Sequence, residues 1–154
     1  MKLSNGIFIF ALIFISCNNN IVFDDYKTFE NKIWNADSGV VFSYSVSDTT
    51  SQNQIVIKVR HTTNYEFQNL FLFVKAEKID TLELLLANKE GGWLGKGIGD
   101  IREVELVYRK DKVFPKKGNF TFEIEQAMRY GSNEKINNLK YIDAVGVIVI
   151  KENE

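Results

Sequence analysis

Hydrophobic side chains recur at every second position over most of this chain. VVFSYSVSD sets Val40, Phe42, Tyr44 and Val46 on one face against Ser43, Ser45 and Ser47 on the other, the pattern of a half-buried strand. In QIVIKVRHT, Ile55, Ile57 and Val59 share a face opposite Lys58 and Arg60. EVELVYR groups Val104, Leu106 and Tyr108, and GNFTFEIEQAM groups Phe120, Phe122 and Ile124 opposite Thr121, Glu123 and Glu125. NLFLFVKAE is apolar on both faces, as in a central strand covered on both sides or one passing from core to interface. TLELLLA alternates only at its start, and AVGVIVI closes the chain as a buried or edge strand. Turn-rich pieces such as SDTTSQNQ, HTTNYEFQN, NKEGGWLGKGIGD and PKKGN separate these runs. No segment carries a convincing helical period, although Gln126 to Tyr130 has room for one turn. The expectation is an all-β fold: an antiparallel β-sandwich, jelly-roll-like, of about seven or eight strands over residues 39–154.

The N-terminus breaks this period. Lys2 is followed by an unbroken apolar run, Ile7 to Ile15. It is too short for a membrane-spanning helix, which needs about 20 residues, and has the length of a signal-peptide core with the small Ser16 before the expected cut. The only cysteine, Cys17, comes next. Phe14, Ile15, Ser16 and Cys17 resemble a bacterial lipoprotein signal, Ser16 matching well and Phe14 loosely. The resemblance implies that residues 1–16 are removed and that Cys17 carries diacylglycerol. An ordinary signal peptide with an incidental cysteine, or an uncleaved anchor, is the alternative. Lipidation accounts for a lone cysteine in an exported chain, which has no partner for a disulfide. Residues 17–38 then read as a lipidated tether and first docking segment. Asn18 to Asn20 are polar, while Ile21, Val22, Phe23, Tyr26, Phe29 and Trp34 are suited to packing on the domain.

Composition narrows the function. A content of 45% hydrophobic and 13% aromatic residues is too apolar for a disordered chain. The net charge of −1 gives no reason to expect a nucleic-acid partner. His61 is the single histidine, which removes any multi-histidine metal site; its place at a strand end marks it as a surface or rim residue. With Cys17 committed to lipid, no thiolate remains for catalysis or zinc. Glu123 and Glu125, two apart on a strand, share a face and do not flank a substrate as a glycosidase pair must. Asp24, Asp25 and Asp37 lack calcium-loop spacing. Gly95, Gly97 and Gly99 imitate a dinucleotide fingerprint without the βαβ unit it needs, so they read as a tight loop. Arg129, after a strong strand, is placed for a structural ion pair with Glu125 or Asp100. No catalytic residue, metal ligand or cofactor is expected beyond the covalent lipid on Cys17. Trp93 on its glycine loop, with Tyr65 or Tyr108, forms a candidate contact for a protein partner or a glycan.

Several stretches together resemble the GldH family of gliding-motility lipoproteins from the Bacteroidetes: VFDDYKTFENKIW, NLFLFVKAEKIDTLELLLAN, GGWLGKGIGDIREVELVYRKDKVFPKKGNFTFEIEQAMR and the closing IDAVGVIVIKE. The likeness runs from about Val22 to Glu152, with GWLGKG, the Phe114 to Phe120 strand entry and EQAMR as its most specific parts. It implies a membrane-anchored component of the gliding machinery and its associated protein-secretion system, working with other proteins of that machinery. It offers no active site to carry over. Some Bacteroidetes lipoproteins carry an acidic export motif directly behind the cysteine; here Asn18 to Asn20 are neutral, which favours an outer-membrane lipoprotein facing the periplasm.

Three classes of function follow: a non-enzymatic envelope component that docks on partner proteins, a glycan-binding envelope lipoprotein module, and an enzyme. The first fits the sequence best. Exposed aromatics in a concave groove would favour glycan; an apolar patch rimmed by charge would favour protein.

Overall fold

The computed structural model describes residues 20–152. The signal peptide and Cys17 lie outside the described residues. Ten strands follow one another: β1 (Ile21–Thr28), β2 (Ile33–Asn35), β3 (Val40–Val46), β4 (Asn53–Thr62), β5 (Asn69–Lys75), β6 (Ile79–Leu85), β7 (Ile101–Lys112), β8 (Gly118–Gln126), β9 (Asn138–Lys140) and β10 (Ile142–Lys151). The only helical element among the described residues is a 3-10 turn at Glu30–Lys32. Gln126 to Tyr130 does not turn helically. It runs extended, with the Ala127 amide donating to Phe71 O at 2.8 Å and the buried Gln126 side chain bonded to Ile136 O and the Met128 amide.

The eight long strands form two four-stranded antiparallel sheets, β1-β10-β4-β7 and β3-β8-β5-β6, with β2-β9 as a short third pair. Taken in chain order, the first long strand pairs with the last, the second with the seventh, the third with the sixth and the fourth with the fifth. That is a long hairpin rolled onto itself, the connectivity of a jelly roll. The sandwich begins at β1, not at residue 39. β1 pairs with β10 from Ile21↔Ile150 to Thr28↔Ala144, so the segment read as tether and docking piece supplies an edge strand. Trp34 in β2 is fully buried, stacks on Phe29 at 4.7 Å and donates its indole N–H to Ser38 O at 3.0 Å.

Alternation decides which side chains fill the core. Phe42, Ile57, Leu72, Phe122, Ile124 and Val147 face one another between the sheets at 1% exposure or less. β10 lies at the centre of its sheet, between β1 and β4, and is buried on both faces from Ala144 to Val149. Its outer face is closed by a cross-strand device. Tyr26 stands directly opposite Gly146 and lies over it; a Cβ at Gly146 would come within 2.6 Å of the Tyr26 ring. The Arg60 guanidinium covers that ring at 4.2 Å, Arg60 Nε donates to Glu103 Oε2 at 2.5 Å, and the Tyr26 hydroxyl donates to the same oxygen at 3.3 Å. Lys58 adds ion pairs to Glu105 at 3.1 Å and Glu103 at 3.9 Å. One ring thus ties all four strands of the sheet together, an aromatic covering a glycine across a strand pair.

Gly146→Ala should therefore destabilise the protein by about 1–3 kcal/mol through overpacking. Combined with Tyr26→Ala, its cost should shrink, giving clear non-additivity in a denaturation double-mutant cycle. Additive costs would place the role of Gly146 elsewhere.

Candidate functional site

The glycine-rich loop is two tight turns. In the first, Asn88 closes on Gly92: its amide donates to Gly92 O at 2.8 Å and its Oδ1 accepts from the Gly92 amide at 2.7 Å. Trp93 then bridges back to Ala87. In the second, Lys96 pairs with Glu103 through hydrogen bonds of 3.1 and 2.8 Å, laying the loop along the free edge of β7. This close approach requires Gly95 and Gly97, where a Cβ would sit 2.1 Å from Glu103 O and 2.0 Å from Ile101 O. The glycines serve backbone contact, and they cover a sheet edge that would otherwise be open to strand addition. Ile98, at the tip, is 92% exposed.

The structure joins two of the three aromatic candidates. Trp93, half-buried, lies 4.8 Å from the His61 ring, and Tyr65 lies 5.8 Å from the same ring. Tyr65 is buried, its hydroxyl donates to Asn69 O at 3.1 Å, and burial pushes its pKa up. Tyr108 is at the other end of β7, beside the pairing of Ile55 with Arg109. It too is buried, donates to Asp80 Oδ2 at 2.7 Å and packs under the Arg109 guanidinium. Burial and the Asp80 bond push it up to about 12, and the same bond holds the Asp80 carboxyl below its ordinary value. These contacts fasten β7 to β6 across the sandwich edge.

His61 is not at the rim. It is fully buried in the inner face of β4, where the two-residue alternation of Ile55, Ile57 and Val59 places it. Its Nδ1 lies 2.9 Å from Thr62 O, so Nδ1 carries the proton and donates. Nε2 is then a bare acceptor, buried and without a hydrogen-bond partner. Burial, reinforced by Arg102, lowers the pKa and keeps the imidazole neutral.

The acidic candidates are held in salt bridges. Lys75 binds Glu125 at 2.6 Å and Glu123 at 3.5 Å. Arg129 does not join Glu125: it is exposed, and Asp100 faces Lys32 at 4.0 Å. Arg129 instead lines a cleft of about 330 Å³ with Phe71, Phe73, Thr81 and Ala127 on the outer face of the β3-β8-β5-β6 sheet. Beside it lies a shallow depression of about 780 Å³, where Phe67, Leu85 and Leu94 are ringed by Glu66, Glu83 and Glu90. Leu85 is 59% exposed. The period-two pattern marks Phe71 and Phe73 as a second apolar face, but Leu85 gives no such signal because TLELLLA alternates only at its start, and Leu94 gives none because it lies in the glycine-rich loop. Among the described residues, no group of three or more His, Cys, Asp or Glu side chains gathers as metal ligands.

A family model described as GldH lipoprotein matches residues 21–149, which takes in every strand but the last residues of β10. The chain belongs to the GldH lipoprotein family. Two relatives agree with this GldH-family assignment. The gliding motility lipoprotein GldH of Flavobacterium johnsoniae is 38% identical over 84% of this chain and 83% of its own. The GldH homolog of Christiangramia forsetii is 35% identical over 96% of this chain and 94% of its own. Solved structures are remote. A carbohydrate-binding module, CBM35 from Cellvibrio japonicus Abf62, aligns at 16% identity and a TM-score of 0.30 over 87% of this chain and 91% of its own, too distant to bear on function.

The buried His61 gives this GldH-family chain an acid-side sensitivity. Its folded pKa lies below the unfolded value of 6.5, so between the two the unfolded chain binds a proton that the folded chain refuses. Stability should be full above pH 6.5 and fall below it, by at most about 1.4 kcal/mol per pH unit. His61→Gln should flatten that limb between pH 6.5 and 5 in denaturant melts; an unchanged slope would assign it to other groups.

Proposed function

We propose that this protein is a lipid-anchored component of the gliding-motility machinery and its associated protein-secretion system. On this reading Cys17 carries the lipid, the protein sits on the outer membrane facing the periplasm, and it acts through protein contacts without catalysis. Membership in the GldH lipoprotein family and the likeness to the Flavobacterium johnsoniae gliding motility lipoprotein support the motility assignment. The neutral Asn18 to Asn20 behind Cys17 support the periplasmic side.

The observation that carries the contact reading is the contrast between the two outer faces of the sandwich. The β1-β10-β4-β7 face is closed by Tyr26, Arg60, Glu103, Lys58 and Glu105. The other presents Phe71, Phe73, Leu85 and Leu94 among Arg129 and several glutamates, an apolar patch rimmed by charge. That composition suits a protein partner. A glycan platform built on Trp93, Tyr65 and Tyr108 has less to support it: both tyrosines are buried, and Tyr108 is remote from the other two.

Affinity isolation of the detergent-extracted protein, followed by mass spectrometry, tests this reading. Wild type should bring down other motility or secretion components, and Phe73→Asp should lose them while remaining folded. Equal recovery with Phe73→Asp, or recovery of none, would contradict it. Cys17→Ser should leave the sandwich folded, since β1 begins beyond it, and release the protein from membranes or stop its processing. A processed Cys17→Ser protein still tightly bound to membranes would remove the lipid from the account.

A further inference from the structure

Resting on the lipid at Cys17, we infer that the sandwich stands end-on upon the membrane, with the β7–β8 loop against phospholipid headgroups and the glycine-rich hairpin held away from them.

The tether sets this orientation. Asn20 is fixed to the sandwich: its carbonyl accepts the Lys151 amide at 2.7 Å, and β1 starts at the next residue. Only Asn18 and Asn19 separate it from Cys17. Three Cα–Cα steps of 3.8 Å reach about 11 Å at most, less than the length of one strand. A lipidated Cys17 therefore brings the end of the sandwich where β1 begins to the bilayer surface.

The register says what else lies at that end. β10 finishes there, opposite Ile21, and β4 begins there, with Asn53 opposite Lys151 and Lys112. The turn from β7 into β8 is therefore at this end. It reads Lys112-Val113-Phe114-Pro115-Lys116-Lys117-Gly118. Phe114 is buried and anchors the loop in the core, packed against Tyr44 and Phe120. Val113 is exposed, as are Lys116 and Lys117, with Lys110 just before them. The acidic groups there are partly answered: Asp48 holds Lys151 at 3.0 Å, and Glu77 holds Lys112 at 2.7 Å, leaving Asp111 and Glu152 among the described residues. An apolar tip between lysines with long alkyl stems is the chemistry of headgroup contact, the ammonium groups meeting phosphate while the stems and Val113 approach the acyl boundary.

The opposite end carries the exposed Ile98 tip, where β7 begins at Ile101 opposite Thr62. β10, ten residues long, rises about 33 Å at the usual 3.3 Å per residue. Ile98 is accordingly held far above the headgroups.

The test uses full-length protein in vesicles of phosphatidylethanolamine and phosphatidylglycerol, carrying either Val113→Cys or Ile98→Cys labelled with a polarity-sensitive dye. Lipids bearing a headgroup-level doxyl quencher should remove most of the emission at position 113 and leave position 98 unchanged. Lys116→Glu with Lys117→Glu should lower the quenching at 113. Equal quenching at both positions, or quenching only at 98, would overturn the orientation; indifference to the lysine changes would overturn the headgroup contact. Intact mass reads the premise separately: an unacylated Cys17 would overturn the anchor, and the orientation with it.

Discussion

The fold depends on covering β10. The run from Ala144 to Val149 is buried on both faces, so it cannot serve as the edge of anything. Inward, its valines meet the side chains of the facing sheet. Outward, no second layer of secondary structure is present among the described residues, and the sheet must cover its own centre. It does so by placing Gly146 where Tyr26 can lie flat, with Arg60 over the ring and Glu103 binding both. Pairing β10 with β1 on one side and β4 on the other also joins the first strand to the last, which rolls the chain into a jelly roll.

That solution separates the molecule into surfaces with different work. The outer face around Tyr26 is occupied by its own ion pairs and has little left to offer a partner. The β7 edge is covered by the glycine loop, and the β6–β7 side is fastened by Tyr108, Arg109 and Asp80. What remains open is the outer face of the β3-β8-β5-β6 sheet, where Phe71, Phe73 and Leu85 lie outside the core. On the end-on orientation, the part of this face nearest Leu85 and Leu94 belongs to the membrane-distal half. A partner reaching it would approach from the side away from the membrane and would not have to compete with lipid.

Much of this was legible in the sequence. Period two located the long strands and their inward residues in β3, β4, β7 and β8. NLFLFVKAE was read as covered on both sides or as passing from core to interface; β5 lies inside its sheet and buries Leu70, Leu72 and Val74, while Phe71 and Phe73 stand on the uncovered outer face. The jelly-roll-like sandwich was expected from the spacing of strands and turns, and the family from the resemblance of whole stretches such as GWLGKG and EQAMR; the strand connectivity itself came only with the structure. Other features were hidden for physical reasons. β1 looked like a tether because Asp24, Asp25 and Lys27 interrupt its alternation, as charges on an edge strand do. His61 looked peripheral because a polar residue near a strand end usually is; only three-dimensional register shows it enclosed by Tyr65 and Trp93. The pairing of Tyr26 with Gly146 spans nearly the whole chain and has no local signal at all. The tyrosines chosen as contacts were aromatic and near turns, but their hydroxyls found partners inside the protein.

The central claim is that one outer face is closed and the other receives protein partners. Photo-crosslinking in intact cells tests it most directly, with a photoreactive residue introduced either at Phe73 or at Lys58. The account predicts discrete protein adducts from position 73 and none from position 58. Adducts from position 58 alone, or in equal yield from both, would contradict it.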